Sequence, residues 1–117
     1  MYLPIRSYLA TALWSSVGDD GCPLDDTYGP EDFAPEAVRQ AEMECAAFAQ
    51  VAALYLYGEE SEQVAHDFWL TRNGHGAGFW DGDYPTHGET LTRLAHAAGS
   101  RDVVVGDDGR LYFFPGM

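Results

Sequence analysis

The residues of this chain best suited to chemistry lie between Ala65 and Gly88, in the sequence AHDFWLTRNGHGAGFWDGDYPTHG. This segment holds two of the three Trp and three of the four His of the chain, and part of it has Gly at every second position. Aromatic side chains beside glycines and aspartates are typical of a shaped loop attached to a core, with polar groups at its mouth. The segment is therefore the first place to look for a functional site.

The histidines and carboxylates of this segment suggest two kinds of site. Two or three His with a carboxylate are a workable ligand set for zinc or another divalent ion, although the spacing fits no established signature. Asp81-x-Asp83 begins like a calcium loop, but Tyr84-Pro85 stands where further oxygen ligands and a glycine turn are needed. The metal-ligand alternative consists of His66, His75, Asp81 and His87. The acid–base alternative, which lacks an established nucleophile signature, consists of His66, Asp67, Arg72, His75 and Asp81.

The same residues have a structural interpretation, which we prefer. Semi-buried imidazoles often hydrogen-bond backbone carbonyls, and we expect His66 and His75 to hold the glycine loop in this way. Asp67 and Arg72 are five residues apart, and we expect them to form an ion pair at the end of a helix. We expect no cofactor and no metal.

The aromatic residues Trp69, Phe79, Trp80 and Tyr84 are able to stack on a base or a sugar. A nucleic-acid platform also needs a basic groove, and the chain has six basic residues against 19 acids. Binding of a small neutral or cationic ligand in an aromatic pocket remains an alternative. Packing in the core is the commoner use of such rings.

The charge of the chain excludes several classes of function. The net charge is -13, the sequence pI is about 4.3, and all six basic residues are Arg. Without Lys there is no Schiff-base nucleophile and no P-loop lysine. A surface with this much negative charge is repelled by nucleic acid and by anionic membranes. The expected partners are cations, metals or the basic grooves of nucleic-acid-binding proteins.

Six of the 19 acids crowd into one loop, residues 18–33. Six more flank the central helix at its two ends: Glu36, Glu42, Glu44, Glu59, Glu60 and Glu62. Because duplex DNA carries a negative charge about every 1.7 Å, an array of carboxylates is able to compete for a DNA-binding groove. Simple solubility is the alternative explanation. The predicted partner-binding residues are Asp19, Asp20, Asp25, Asp26, Glu31 and Asp32, with Trp69, Arg72, His75, Trp80 and Asp83.

Apolar periodicity predicts the elements that position these residues. At 117 residues one domain is expected, spanning 1–117. The predicted elements of the first half are a helix at 5–16, a loop at 18–33 and a central helix at 35–57. A third helix starts at a Ser61 cap and stops at Asn73-Gly74, and a fourth starts at a Thr86-x-x-Glu89 capping box and ends at Gly99. A hairpin follows at 103–114. The fold class is thus α+β: a small single domain of about four helices around a central apolar helix, with a C-terminal β-hairpin.

Two further expectations concern the central helix and the cysteines. From Cys45 to Tyr57 only Gln50 is strongly polar, so this part should be surrounded by protein or cover a partner, such as a second copy of the chain in a homodimer. Cys45 lies in an apolar helical pattern and is expected to be a buried thiol. Neither a signal peptide nor an apolar run of membrane-spanning length is evident, so we expect a soluble, cytoplasmic protein.

Three sequence blocks carry a resemblance to a known family. They are Glu44-Cys45-Ala46-x-Phe48, then HDFWLTRNGHGAGFWD from His66 to Asp81, then GDDGRLY from Gly106 to Tyr112. Together they resemble a family of small, uncharacterised phage-encoded proteins with an H-D-F-x-L-T-R-N-G-H-G-x-G-F-W-D block, over about the last two thirds of the chain. The resemblance implies an accessory protein acting in the bacterial cytoplasm during infection. It implies no activity, cofactor or catalytic residue.

The leading hypothesis is an acidic phage-type accessory protein with an anti-defence or host-takeover role. It would bind and inhibit a host protein that has a basic nucleic-acid-binding surface, without binding nucleic acid or membrane itself. Mimicry of nucleic-acid charge is the suggested mode of inhibition. The alternative is a small enzyme, or a small-ligand or metal-binding protein, that uses the block from His66 to Asp81.

Overall fold

The computed structural model of the protein describes residues 1–75, 78–80 and 84–115. These residues form four α-helices and a C-terminal antiparallel β-hairpin, which confirms the predicted α+β class. The elements are α1 (Ile5–Ser15), α2 (Pro35–Val51), α3 (Ser61–Arg72), α4 (Gly88–Ala97), β1 (Arg101–Val105) and β2 (Leu111–Pro115). Single turns of 3-10 helix occur at Leu24–Asp26, Pro30–Asp32 and Ala53–Tyr55.

Helix α3 is the most enclosed helix among the described residues. Eight of its 12 residues are buried, against five of the 17 in α2, and both α1 and α4 pack against it. Phe68 of α3 is fully buried, stacks on Phe48 of α2 with ring centroids 4.2 Å apart, and lies 5.8 Å from the ring of Tyr8 in α1. The central place assigned from the sequence to the helix starting at Pro35 therefore belongs to α3.

Helix α2 ends earlier than its apolar pattern predicts. It stops at Val51, and the chain continues through one 3-10 turn before Leu56 returns to the core. Val51, Leu54 and Tyr57 are 61%, 85% and 95% exposed. The described residues do not cover these three side chains, so the alternative that this part is surrounded by protein does not hold for them. The alternative that it covers a partner stays a prediction.

The acidic loop 18–33 is attached to the rest of the protein near its middle and at its C-terminal end. Near the middle, Leu24 is buried, and its N–H donates to the carbonyl of Ser16 at 3.0 Å. At the C-terminal end, buried Phe33 stacks on Phe113 of β2 with centroids 5.0 Å apart, and the N–H of Ala34 donates to Leu111 O at 3.0 Å. The loop is long, yet its apolar residues attach it to the core.

The hairpin is stabilised by packing on the helices. Val103 pairs with Phe113 and Val105 with Leu111, and the Leu111 and Phe113 side chains are buried. The Phe113 ring lies 5.6 Å from Trp69 of α3. Because two strands alone are only marginally stable, this contact with α3 holds the hairpin in place.

Two helix starts differ from the sequence prediction. Ser61 is the first residue of α3, Glu60 precedes it, and neither caps the helix through a side chain. The Thr86–Glu89 capping box is wrong, since α4 starts at Gly88. A Cβ on Gly88 would lie 2.5 Å from the carbonyl oxygen of Phe79, so the close approach of these two backbones fixes where α4 begins.

Both cysteines are free thiols. Cys22 is exposed and Cys45 is buried, as its helical pattern predicts. Burial raises the pKa of Cys45 to about 12, with the Arg72 charge acting in the opposite direction. The Cys45 thiol is thus unreactive at neutral pH.

Within the described part of the chain, none of the helices combines the length and the apolarity that crossing a bilayer requires.

Replacing Phe68 by Ala should lower the free energy of unfolding by about 3–5 kcal/mol, because the change opens a cavity in the centre of the core. Replacing Tyr57 by Ala removes an aromatic ring of comparable size from a 95% exposed position and should change it by less than about 0.5 kcal/mol. Urea unfolding of the two variants measures the difference. Equal losses would contradict the assignment of α3 to the centre.

Candidate functional site

The Arg72 guanidinium is buried at the C-terminal end of α3, where Asn73 follows the helix. Its Nη1 donates to Tyr8 Oη at 2.9 Å and to Glu44 Oε1 at 2.6 Å. Its other nitrogens donate to two backbone carbonyls after α4, Nε to Gly99 O at 2.7 Å and Nη2 to Ala98 O at 2.9 Å. Every nitrogen of the guanidinium therefore has a protein acceptor, as a buried cation requires.

The Glu44 carboxylate accepts hydrogen bonds from two arginines, Arg72 and Arg101. Its Oε2 accepts from Arg101 Nε at 3.2 Å and from Gln40 Nε2 at 3.0 Å, while Oε1 takes Arg72. Burial of the carboxylate opposes its ionisation, but the hydrogen bonds from Arg72 and Gln40 and the charges of both arginines outweigh it. The pKa of Glu44 is therefore held below its ordinary value of 4.5.

A second polar network surrounds the buried carboxylate of Asp67. His66 Nδ1 lies 2.9 Å from Asp67 Oδ1, Tyr84 Oη donates to Oδ2 at 2.8 Å, and Gln63 Nε2 reaches both oxygens at 3.0 Å. The His66 side chain is 35% exposed and lies beside the ring of Trp14, at a centroid distance of 5.8 Å. Asp67 thus orients a half-exposed imidazole and ties α3 to the start of the segment leading into α4.

Two expectations about these residues are wrong. Asp67 and Arg72 do not form an ion pair, because Asp67 pairs with His66 and Arg72 pairs with Glu44. Among the described residues, the ring of His66 contacts the Asp67 carboxylate and no backbone carbonyl. The five-position step from Asp67 to Arg72 places them on different sides of the helix, where each meets a different neighbour.

His75 and His87 lie in different surroundings from His66. The backbone N–H of His75 donates to Leu70 O at 3.0 Å, and its half-buried side chain lines a cleft of about 500 Å³ with Asn73 and Asp102. His87 precedes α4 and contacts the ring of Tyr55, with centroids 5.2 Å apart. In the described ranges no group of three or more His, Cys, Asp and Glu is able to hold a metal ion. Asp81, the carboxylate of the metal-ligand and catalytic alternatives, lies outside those ranges, and so does Asp83.

The aromatic residues divide between core and surface. Trp69 is 2% exposed, and its Nε1 donates to Ser15 Oγ at 2.8 Å. Trp69 and Arg72 therefore belong to the interior, and their assignment to a partner-binding surface is wrong. Trp80 is 61% exposed and lines an open cleft of about 560 Å³ with Tyr84 and Arg93.

Gly78 fixes the approach of the glycine segment to α3. Its φ is +130°, in a region that residues with a side chain rarely adopt, and a Cβ there would collide with Thr71 Oγ1. The same hydroxyl accepts a hydrogen bond from the N–H of Phe79 at 3.0 Å. The described part of this segment is therefore attached to α3 by backbone contact, as its glycines suggest.

The carboxylates of the acidic loop point into solvent. Asp19, Asp20, Asp25, Asp26 and Glu31 are exposed, and Asp32 is half-buried with Oδ2 accepting from Gly29 N at 2.8 Å. Acids elsewhere are exposed as well. They lie on α2, at the start of α3, on α4 and on the hairpin: Glu36, Glu42, Glu60, Glu62, Glu89, Asp102, Asp107 and Asp108. The loop is the densest acidic segment on a surface that is acidic throughout.

Sequence reasoning missed Tyr8, Glu44 and Gln63 as partners of the buried charges. One signal was present for Arg72, which follows Val64 and Phe68 at steps of four and so falls on the apolar face of α3. An arginine on a buried face requires an acid. Only the tertiary structure identifies that acid as Glu44, 28 residues away.

Comparison of the chain with protein-family models, with curated protein sequences and with solved structures found no significant match. The resemblance to phage-encoded proteins therefore stays a prediction.

Replacing Glu44 by Gln should lower the free energy of unfolding by about 3 kcal/mol near neutral pH, because the buried Arg72 charge loses its counter-ion. Since the pKa of Glu44 is lower in the folded protein than its ordinary 4.5, its contribution is fully present above pH 4.5 and is lost as the pH falls through the folded value. The difference between wild type and E44Q should therefore shrink in acid. Denaturant titrations at several pH values measure it, and a difference independent of pH would contradict the assignment.

Proposed function

We propose that this protein is an acidic phage-type accessory protein that binds and inhibits a host protein with a basic nucleic-acid-binding surface. The inhibitor imitates the charge of nucleic acid and acts in the cytoplasm of the infected bacterium. Binding uses the acidic loop 18–33, whose carboxylates meet the basic groove of the partner.

The observation that carries the proposal is the attachment of an acidic loop to the core. Five exposed carboxylates lie on a segment whose apolar residues, Leu24 and Phe33, are buried. Because the loop is already held in place before binding, it loses less conformational entropy on association. Its carboxylates are therefore able to bind a partner without a large entropic penalty.

The distribution of the arginines supports the same function. Arg72 and Arg101 pair with Glu44, which leaves four exposed arginines, Arg6, Arg39, Arg93 and Arg110. The exposed surface is consequently dominated by carboxylates. Such a surface attracts a basic partner over long range, with association that slows as salt rises.

The environment of the candidate catalytic residues also favours binding over catalysis. Arg72 is enclosed with its acceptors, and Asp67 is buried with three side-chain partners. These hydrogen bonds give both residues a structural role in the fold. His75 lies in a separate cleft beside β1.

A variant with Asp19, Asp20, Asp25 and Asp26 changed to Asn should lose its partner in a pull-down from bacterial lysate. The matched control changes the exposed Glu42, Glu60, Glu62 and Glu89 to Gln, which alters the net charge by the same amount elsewhere on the surface. Wild type and control should retain a basic nucleic-acid-binding protein that moderate salt releases and that duplex DNA displaces. Asn at position 20 preserves the acceptor that Asp20 offers to the N–H of Cys22.

Equal loss in the two variants would show that total charge, and not the loop, determines binding. Recovery of acidic partners alone, or of a partner that DNA does not displace, would contradict nucleic-acid mimicry.

The alternative function is a small enzyme, or a ligand- or metal-binding protein, and it is supported by the contact of His66 with Asp67. A buried carboxylate that orients a half-exposed imidazole is the arrangement of a general base or of a metal-ligating histidine with its supporting acid. Equilibrium dialysis against Zn²⁺ tests the metal form. Retention of about one zinc per chain, lost in His66→Gln but kept in His96→Gln at an exposed histidine of α4, would favour this alternative.

A further inference from the structure

Strand β1 has one edge that pairs with β2 and one that does not. At the hairpin end the N–H of Gly106 donates to Arg110 O at 2.7 Å, so the backbone groups of Val104 and Asp102, two and four residues earlier, also face β2. Arg101 is offset by one residue and faces the other way, and its N–H donates to Asn73 Oδ1 at 2.8 Å. Alternation along the strand then places the N–H and C=O of Val103 and Val105 on the outer edge.

These outward-facing groups have no partner in the described part of the chain. No hydrogen bond beyond the β1–β2 ladder involves the backbone of Val103 or Val105. By contrast, the start of β2 is covered, because Phe33 forms a parallel bridge with Leu111. An uncovered strand edge is a template for pairing with another chain.

A groove follows the uncovered edge. One cleft, of about 500 Å³, is lined by Ser16 and Val17 on one side and by Val103 and Val104 on the other. A second cleft, of about 320 Å³, is lined by Val105 of β1 and by Asp19, Asp20 and Cys22 of the loop. We call the space between β1 and residues 15–22 the edge groove.

The charges of the edge groove are mostly negative. Asp102 lines it at the β1 side, and Asp19 and Asp20 line it at the loop side, and all three are exposed. The one arginine in its described lining is Arg101, whose Nε donates a hydrogen bond to Glu44 Oε2 at 3.2 Å. His75 is the further titratable side chain of the first cleft, and Cys22 and Tyr28 are those of the second.

We propose that the edge groove binds an extended, basic segment of the partner protein, which adds to β1 as a third strand. The inference rests on the proposed function, since it names how the same acidic loop engages its partner. Main-chain hydrogen bonds to Val103 and Val105 supply affinity, and Asp19, Asp20 and Asp102 select basic side chains. The acidic loop thus forms one wall of a strand-binding site.

Charge argues against a second copy of the chain as the occupant. Pairing two chains would bring together two molecules of net charge -13, each with the same carboxylates along the groove. Repulsion of this kind opposes self-association, whereas a basic strand relieves it.

Amide hydrogen exchange followed by NMR tests the inference at the two residues concerned. The probe is an acetylated and amidated peptide of about eight alternating Arg and Val residues, long enough to cover β1. At saturation the amides of Val103 and Val105 should exchange at least about tenfold more slowly than in the free protein, since each gains a hydrogen bond. Asp102 and Val104, already paired with β2, should change little. The same peptide with alternate backbone nitrogens methylated should give no protection.

A pair of variants separates backbone pairing from side-chain contact. Val105→Pro removes an N–H that the ladder with β2 does not use, so the hairpin should form, as proline is tolerated at strand edges. Val105→Ala keeps the N–H and loses the side chain. The Arg-Val peptide should bind the proline variant at least about tenfold more weakly than the alanine variant, with thermal unfolding confirming that both are folded.

Each other outcome overturns the inference. Peptide binding without protection of Val103 and Val105, equal in the two variants, would mean that charge alone binds, and the proposed function would stand without the strand. The same holds if the peptide does not bind while the loop-dependent partner is still captured. Failure of both experiments would remove the proposed function as well. Protection that grows with protein concentration in the absence of peptide would identify a second copy as the occupant.

Discussion

The fold depends on one buried cation, the guanidinium of Arg72. Its acceptors come from α1, α2 and the segment between α4 and β1, so four parts of the chain meet at a single side chain of α3. The guanidinium also lies over the ring of Phe68, at 5.0 Å from its centroid. An unpaired charge at this depth would cost several kcal/mol, so the helices are held in the one arrangement that supplies every acceptor.

This constraint shapes what remains for function. The side chains that resemble a catalytic set are largely used inside the protein, Arg72 with Glu44 and Asp67 with His66, Tyr84 and Gln63. The described surface carries many carboxylates, four arginines and twelve large apolar side chains. One edge of β1 has no partner among the described residues. The proposed binding function rests on this surface.

Much of the fold was predictable from the sequence, because apolar periodicity and turn residues are local signals. They identified the four helices, the stop at Asn73-Gly74, the hairpin and the buried Cys45. The sequence did not identify the partners of Arg72, which lie 28 and 64 residues away for Glu44 and Tyr8 and depend on how helices pack. The start of α4 was missed for a similar reason, since the approach of Phe79 to Gly88 is a tertiary contact. The bounds of the acidic loop were predictable from the sequence, whereas its value as a binding surface depends on a partner.

The central claim is that the Glu44–Arg72 pair is a structural element and not part of a reactive site. A double-mutant cycle with Glu44→Gln, Arg72→Met and the double variant tests it most directly, using the free energy of unfolding measured in urea near neutral pH. The account predicts a coupling energy of about 1–3 kcal/mol, because each single change strands the other charge in the interior. A coupling energy near zero, with both single variants as stable as wild type, would contradict it.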